Sequence, residues 1–399
     1  MNQPQSGSRL LIGQSGGATA VINASLTGII TAAQASGAFS GILGMRGGIE
    51  GVLRGDFIEL DTLKPAKIAA LQRTPSAALG TGRYKLRDED MEPLLQRLAA
   101  RGITAMIFIG GNDSADTTQR LAGHAKIAGY PLQVIHVPKT VDNDLVGTDH
   151  CPGYGSLARV IANVVRDATF DTLAAPALYP VKFIEVMGRD AGWVAASGAL
   201  GFPVTEWDLL PLVYLPEHPP RDAAAIVRAV QEDVRDRGWS VVIVPETLRD
   251  ASGRHLGGET PEWTDQFGHA YFASAGEALA RLTREHLGLR ARYEKVGSWA
   301  RMSMSLISET DLAEAWEIGQ AAVAALLRGE SAVMMAFRRH PEGPYGCDIV
   351  SVPVEQVANQ VRTLPDTFIA NDGKGVSALF TSYASPLLGA DPVPGYARL

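Results

Sequence analysis

The sequence predicts an α/β protein of two or three domains, built on largely parallel sheets covered by helices on both faces. Three observations point there. Short apolar runs alternate with segments of helical periodicity along most of the 399 residues, the pattern of a parallel sheet with helices on both faces. Several apolar runs end in clusters of Gly, Ser, Thr, Asn and Asp, and in such sheets ligands bind beyond the carboxyl ends of the strands. Length allows two or three domains at about 150 residues each.

Taken in order, Arg9 to Ile12 reads as a strand. It runs into Gly13-Gln14-Ser15-Gly16-Gly17-Ala18-Thr19 and a helix bearing Ile22, Leu26, Ile29 and Ile30. Glycines at such a turn let backbone N–H groups approach an anion, although a tight turn without a ligand explains the segment equally well. No G-x-G-x-x-G pattern is present, which argues against a dinucleotide site. Gly41 to Met45 is a second strand, and Asp88 is the expected N-cap of a helix reaching Arg101. Ile103 to Ile109 is a buried strand leading into Gly110-Gly111-Asn112-Asp113-Ser114, with a helix from Ala115 to Gly123. Leu132 to Val137 is the next strand, and a long helix runs from about Gly155 to Thr172. A second series follows: strands over 181–186, 239–244, 290–296 and 332–338, and helices over 191–200, 219–236, 266–286 and 309–327. The segment 250–263 reads as a loop. The tail after Pro365 carries Phe368, Leu379, Phe380, Tyr383 and Leu387 and is expected to pack on the body.

Composition narrows the function. Hydrophobic residues make up 46% and charged residues 20%, with a net charge of -7. No global basic field exists to recruit nucleic acid or a membrane surface, so an anionic substrate must be held by local Arg and Lys. Two cysteines, Cys151 and Cys347, do not make a disulfide framework and fit a reducing compartment. Met1 to Ser8 is polar, and no apolar run approaches the ~20 residues of a membrane span. The reading is a cytoplasmic protein.

The segment Pro138-Lys139-Thr140-Val141-Asp142-Asn143-Asp144 concentrates the chemistry. A lysine, a threonine and two carboxylates stand where a strand ends, beside the cluster at 110–114. Together they suggest a phosphate site with a proton-accepting carboxylate. Taken alone, Asp-Asn-Asp in a loop is more readily a turn or a cap.

These pieces resemble the phosphofructokinase family across most of the chain, and within it the pyrophosphate-dependent branch. The matching segments are Ser15-Gly16-Gly17, Gly80-Thr81-Gly82-Arg83, Gly110 to Ser114, Pro138 to Asp144, Met187-Gly188-Arg189, Pro245-Glu246 and the segment from Arg292 to Arg301. The resemblance implies two three-layer αβα domains with the active site in the cleft between them. It implies transfer of a phosphoryl group to the 1-hydroxyl of fructose 6-phosphate, readily in both directions, with Asp142 as base and Thr140 bonding the transferring group. Arg189, with Met187 and Gly188, falls at the sugar; Glu246 takes a sugar hydroxyl; Arg292 and Arg301, with Tyr293 nearby, fall at the sugar phosphate. Gly16, Gly17, Arg83 and Gly111 fall at the donor phosphates. Mg²⁺ is the implied cofactor, with Asn112 and Asp144 on it directly or through water. A homo-oligomer, dimer or tetramer, is implied as well.

Two positions bear on the donor. Relatives that use ATP carry glycine where this chain has Asp113 and Lys139. An aspartate there fills the space of a nucleotide's inner phosphate and repels it by several kcal/mol, taking ~4 Å and an effective dielectric of ~20. A lysine neutralises a pyrophosphate oxygen, and the two side chains are expected to pair. The resemblance therefore implies pyrophosphate as donor; the alternatives are an ATP-dependent enzyme whose Asp113 and Lys139 swing aside, or a catalytically silent regulatory subunit. The chain departs from the family at Ser298, where a histidine is usual, and at Pro180, where an arginine that reaches a neighbouring subunit is usual; either Lys182 compensates or the subunit arrangement differs. Expected boundaries are 1–153 with 300–352 for the donor domain and 154–299 with 353–399 for the sugar-phosphate domain.

Overall fold

Buried side chains alternate along the strands, and this sets the architecture. Leu10, Ile12, Ile107 and Ile109 face one apolar core, whereas Leu11, Met106 and Phe108 face another. A strand whose two faces are both buried must lie between two helix layers. The computed structural model describes residues 7–82, 84–264, 270–390, 393 and 395–397. Arg83 and the 266–269 part of the helix predicted over 266–286 lie outside them.

The chain forms two compact units. The first comprises Met1–Thr140, Leu145–Gly153 and Glu309–Val361; the second comprises Val141–Asp144, Tyr154–Ser308 and Arg362–Leu399. The first unit holds a seven-stranded sheet. Its parallel centre runs, in spatial order, Val333–Arg339, Gln133–Pro138, Ile103–Gly110, Arg9–Gln14 and Gly41–Met45. Antiparallel strands Cys347–Pro353 and Phe57–Glu59 close its two edges. Helices Ile22–Ser36 and Glu309–Leu327 cover one face together. Their backbones nearly touch: a Cβ on Gly28 would lie 2.1 Å from Trp316 O, and one on Gly319 would lie 2.3 Å from Ser25 O. Glycine at both points is what lets the two helices close.

The second unit holds a four-stranded, all-parallel sheet in the order Ala291–Lys295, Val181–Val186, Ser240–Pro245, Leu212–Val213. Helices Ala223–Arg237 and Ala275–Leu287 pack on one face through Ile226, Val230 and Leu279. The small-residue helix is shorter than predicted, Trp193–Ser197, and continues as a 3₁₀ turn. Small residues do allow close packing here, since a Cβ on Gly198 would meet Ile243 Cδ1 at 2.3 Å. Phe380 and Leu387 of the tail are buried, whereas Leu379 is 59% exposed.

Several elements differ from expectation. The helix predicted from Ala115 starts at Asn112, directly after the strand. That predicted over 266–286 starts at Ala275, capped by Ser274 Oγ accepting from Glu277 N. Asp88 is the first helical residue and not the cap; Asp90 accepts from Arg87 N at 2.8 Å and does the capping from inside the helix. Helices Ile49–Arg54 and Pro65–Gln72 and the edge strands Phe57–Glu59 and Cys347–Pro353 were not expected. They are short or half-exposed, so their hydrophobic pattern is weak. No helix among the described residues is long and apolar enough to cross a membrane.

Candidate active site

Three adjacent strands of the first unit, Arg9–Gln14, Ile103–Gly110 and Gln133–Pro138, end at the same sheet edge. Ser15 N donates to Ile109 O at 2.9 Å, and Lys139 N donates to Gly110 O at 2.9 Å. The loops bearing Ser15-Gly16-Gly17, Gly111-Asn112-Asp113 and Lys139-Thr140 therefore begin side by side. Lys139 is 3% exposed, and its ammonium donates to Gly17 O at 2.7 Å. Gly16 lies so close that a Cβ there would be 3.3 Å from Lys139 Nζ. Thr81 Oγ1 donates to Gly16 O at 2.7 Å and brings in the loop of Gly80 and Gly82. A Cβ on Gly82 would lie 2.5 Å from Gly47 O, so Gly47-Gly48 joins the same cradle. Sequence reasoning missed this pair. Its signal was available, because Gly47-Gly48 follows a strand just as Gly16-Gly17 and Gly110-Gly111 do.

Asn112 and Asp113 open the helix Asn112–Ile127. The expected pairing of Asp113 with Lys139 is not present among the described residues. The Asp113 side chain is exposed in the first helical turn, where a carboxylate suits the positive end of the helix dipole, while the Lys139 ammonium turns to the Gly17 carbonyl. Asn112 is already engaged: its Oδ1 accepts from Asn359 N at 3.1 Å and its amide donates to Gln360 O. One lone pair of Oδ1 remains for a ligand. Arg83, expected at the donor phosphates, is outside the described residues.

Beyond Thr140 the chain passes to the second unit for the four residues Val141–Asp144. This excursion is tied down. Arg362 N donates to Asp144 O at 2.7 Å, and Arg362 Nε donates to Asn143 O at 3.2 Å. Asn143 takes a left-handed backbone (φ 54°) and its amide donates to Tyr383 OH at 3.3 Å; asparagine is one of the few side chains that adopts this conformation readily. Arg362 in turn lies 4.3 Å over the Trp193 ring. Asp142 and Asp144, both half-buried, thus flank a residue with a fixed backbone. Arg362 and Trp193 carried no motif, and Tyr383 stood out only as an apolar residue of the tail, so nothing in the sequence tied them to this loop.

A further set gathers at the carboxyl ends of the second unit's strands. Gly188 has φ 105°, which glycine alone adopts without strain, and it turns the chain between Met187 and the exposed Arg189. Glu246 N donates to Val186 O at 2.9 Å. Burial pushes the Glu246 carboxyl above its ordinary value, with Glu185 adding to the effect; Lys295, Arg189 and Arg301 oppose it. Three cations thus act on the Glu246 carboxyl. Arg301 sits in the 3₁₀ turn Gly297–Met302 with its Nε buried and unpartnered. Lys295, which the sequence reading passed over, stands 3.0 Å from the fully buried Glu185 carboxylate. Burial works against the charge on Lys295, but Glu185 holds its pKa above the usual value. Glu185 also accepts from Ser274 Oγ at 2.5 Å and Gly276 N at 3.0 Å, and the Tyr293 ring packs on Gly276.

Arg292 is not brought into this set. It pairs in register with Lys182 near the start of Val181–Val186, whereas Glu246 lies beyond the far end of the neighbouring strand. Four residues at about 3.3 Å each put some ~13 Å between the two ends. Its guanidinium instead lies 3.5 Å over the Tyr179 ring and 3.9 Å from Asp171. Lys182, considered above as a substitute cation, is 2% exposed and already paired with Asp171 at 2.6 Å and Glu294 at 3.1 Å.

Among the described residues, one group of His, Cys, Asp and Glu is compact enough to hold a cation: Asp149, His150 and Cys347. Its chemistry is that of an ion-pair network. His150 lies between Asp149 Oδ2 at 2.9 Å and Glu314 Oε2 at 2.8 Å, so both ring nitrogens are engaged. Arg339 donates to Asp149 at 2.9 Å, and Tyr345 OH donates to Glu314 at 2.5 Å. Despite complete burial, the two carboxylates raise His150 to about 9, while burial pushes the Cys347 thiol up to about 11. A protonated imidazole and a protonated thiol do not ligate metal.

Two three-layer α/β units with glycine-lined, lysine-bearing loops at the carboxyl edge of a parallel sheet define a phosphate-handling protein of the α/β class. The phosphofructokinase family model matches residues 9–326, and the chain belongs to that family. It is 39% identical to the pyrophosphate–fructose 6-phosphate 1-phosphotransferase of Methylococcus capsulatus, over 96% of this chain and 92% of that one. It is 38% identical to the enzyme of the same name from Xanthomonas campestris, over 98% and 96%. Among solved structures, the pyrophosphate-dependent phosphofructokinase of Nitrosospira multiformis superposes with a TM-score of 0.88 at 35% identity, covering 98% of this chain and 94% of that one. The fold is that of the phosphofructokinases.

Proposed function

We propose that the protein transfers a phosphoryl group from pyrophosphate to the 1-hydroxyl of fructose 6-phosphate, reversibly, giving fructose 1,6-bisphosphate and phosphate. One observation carries the choice of donor. The Lys139 ammonium is buried on the Gly17 carbonyl, inside the glycine cradle; in this reading it takes up room that the inner phosphate of a nucleotide needs. Asp113, exposed in the first turn of helix Asn112–Ile127, adds a negative charge at the same sheet edge.

In this reading the first unit binds the donor through Gly16, Gly17, Arg83, Gly111, Asp113 and Lys139, and Gly47-Gly48 shares that task. The second unit binds the sugar phosphate through Met187, Gly188, Arg189, Glu246, Tyr293 and Arg301, and Lys295 supplies a cation where Ser298 cannot. Arg292, at the opposite sheet edge, serves a sugar phosphate only on a second copy of the chain, in keeping with a homo-oligomer. Asp142 takes the proton of the 1-hydroxyl as the oxygen attacks phosphorus, while Thr140 hydrogen-bonds the transferring group. Lys139 and Arg189 balance the charge that spreads over the phosphoryl oxygens, which is where most catalysis of this reaction lies. Asp144 and the remaining lone pair of Asn112 would hold Mg²⁺ together with the donor's own oxygens, few protein ligands plus phosphates being what that ion prefers; the ion would neutralise phosphate charge.

The test is a coupled assay of purified protein with fructose 6-phosphate and either pyrophosphate or ATP. Turnover with pyrophosphate and little with ATP is expected. Robust ATP turnover with none from pyrophosphate ends this reading.

A further inference from the structure

We propose that the second unit carries another small-molecule site, for a hydroxylated phosphate ester, in the cleft between helix Ala223–Arg237 and the turn Asp372-Gly373-Lys374. A cavity of about 450 Å³ lies there, within the range of small-ligand pockets. One wall is a single helix face, Ala225, Arg228, Ala229 and Glu232, at the i, i+3, i+4, i+7 spacing. The two alanines are what leave the space open. The facing turn is bent by Gly373 (φ 69°) and fixed to the outer strand of the sheet by Val213 N donating to Lys374 O at 3.0 Å.

Tyr214 also lines the cavity. It is 4% exposed, yet its hydroxyl has no hydrogen-bond partner. A buried hydroxyl left unpaired is costly, and an acceptor in the cavity would satisfy it. The charges around the cavity are mixed. Arg228 is 3.7 Å from Asp222, beyond hydrogen-bond reach, and Lys374 is in no ion pair among the described residues. At the rim Arg221 is paired with Asp222 at 2.9 Å and His218 with Asp366 at 3.4 Å. Glu232 and Asp372 bring two carboxylates to the same walls.

This combination selects among ligands. A bare anion meets Glu232 and Asp372; an amine meets Arg228 and Lys374; an apolar molecule satisfies neither set nor the Tyr214 hydroxyl. A phosphate ester with free hydroxyls satisfies all of them. Its phosphate faces Arg228 and Lys374, guanidinium forks being suited to phosphate oxygens, while its hydroxyls donate to the carboxylates and accept from Tyr214. The cleft flanks the strand Leu212–Val213, at the other side of the sheet from Ala291–Lys295, and none of its lining residues is used in the reaction proposed above.

Hydrogen exchange of the full chain, with glycerol 3-phosphate as probe and glycerol and inorganic phosphate as controls, tests it. Glycerol 3-phosphate is expected to slow exchange by about threefold or more in peptides spanning 212–232 and 366–377, with saturation. Lys374→Glu and Ala229→Trp, which reverse a charge and fill the cavity, are each expected to weaken this by about tenfold while leaving phosphoryl transfer unchanged. No protection of those peptides in the wild type overturns the proposal, as does protection that survives both variants. Equal protection by inorganic phosphate, which would mark a simple anion patch, overturns it too. Lys374→Glu changes one half-buried turn residue whose backbone bond to Val213 N is kept, so the test stands even if Ala229→Trp fails to fold.

Discussion

Replacing Lys139 by Met keeps the length and apolar stem of the side chain and removes its charge. The wild-type side chain is 3% exposed with Nζ 2.7 Å from Gly17 O, so two losses are expected. The carbonyl loses a charged donor in a buried place, costing about 1–3 kcal/mol of stability. The transition state loses a fixed positive charge already in position, costing about 3–4 kcal/mol, or about 10²–10³ in kcat. Steady-state kinetics with pyrophosphate varied at saturating fructose 6-phosphate give the second quantity, and thermal melts give the first. The KM for fructose 6-phosphate is expected to stay within about threefold, since that binding does not use Lys139 in the proposed scheme. A folded variant that loses less than about tenfold in kcat refutes the assignment of Lys139 to the transferring group.

Other outcomes follow from the same geometry. Asp142→Asn is expected to lower kcat by about 10²–10⁴, the usual contribution of a positioned base, with little change in either KM; a pH-independent residual rate would mark loss of the base. Glu246 is raised by burial and by Glu185, so the folded chain holds this proton to higher pH than the unfolded chain does; in the proposed scheme the ionised carboxylate, the stronger acceptor for a sugar hydroxyl, is present above that raised value. The KM for fructose 6-phosphate is therefore expected to climb as pH falls, beginning above the ordinary value of 4.5, and Glu246→Gln is expected to abolish that dependence. His150 is raised from 6.5 to about 9, so the stability it contributes is whole below pH 6.5 and lost as pH rises through about 9. That contribution is on the order of 3 kcal/mol, and chemical denaturation of wild type and His150→Gln across this interval measures it. Replacing Asp113 and Lys139 together by Gly is expected to lower pyrophosphate turnover and open the cradle to ATP, read in the two-donor assay.

The strands around the candidate site were legible because both their faces are buried, which gives unbroken apolar runs such as Ile103–Ile109. The loops after them were legible because glycine and charged residues interrupt those runs. The edge strand Cys347–Pro353 escaped notice: none of its residues is fully buried and its alternation is faint. Motif spacing could bring Arg301 to Glu246, but it could not show that Arg292 lies at the other end of a parallel strand, because register appears only once the strands are paired. The supports of the 141–144 excursion were illegible for another reason. Arg362 and Tyr383 lie more than two hundred residues downstream, and only the folded chain makes them neighbours of Asn143. Lys295 was hidden in plain view, since a lysine in a strand normally means a solvated face; here a buried glutamate holds it in place.

The glycine contact between helices Ile22–Ser36 and Glu309–Leu327 joins the beginning of the chain to a stretch synthesised some three hundred residues later. As the chain leaves the ribosome, the flank of the earlier helix around Ser25, Gly28 and Ile29 lacks its cover until the late partner emerges. The second unit's sheet is complete before that moment. A nascent chain halted near residue 300 would thus carry a second unit with its sheet formed but its 362–399 segment missing, and a first unit with one helix flank bare, the kind of species that chaperones hold and that aggregates in their absence.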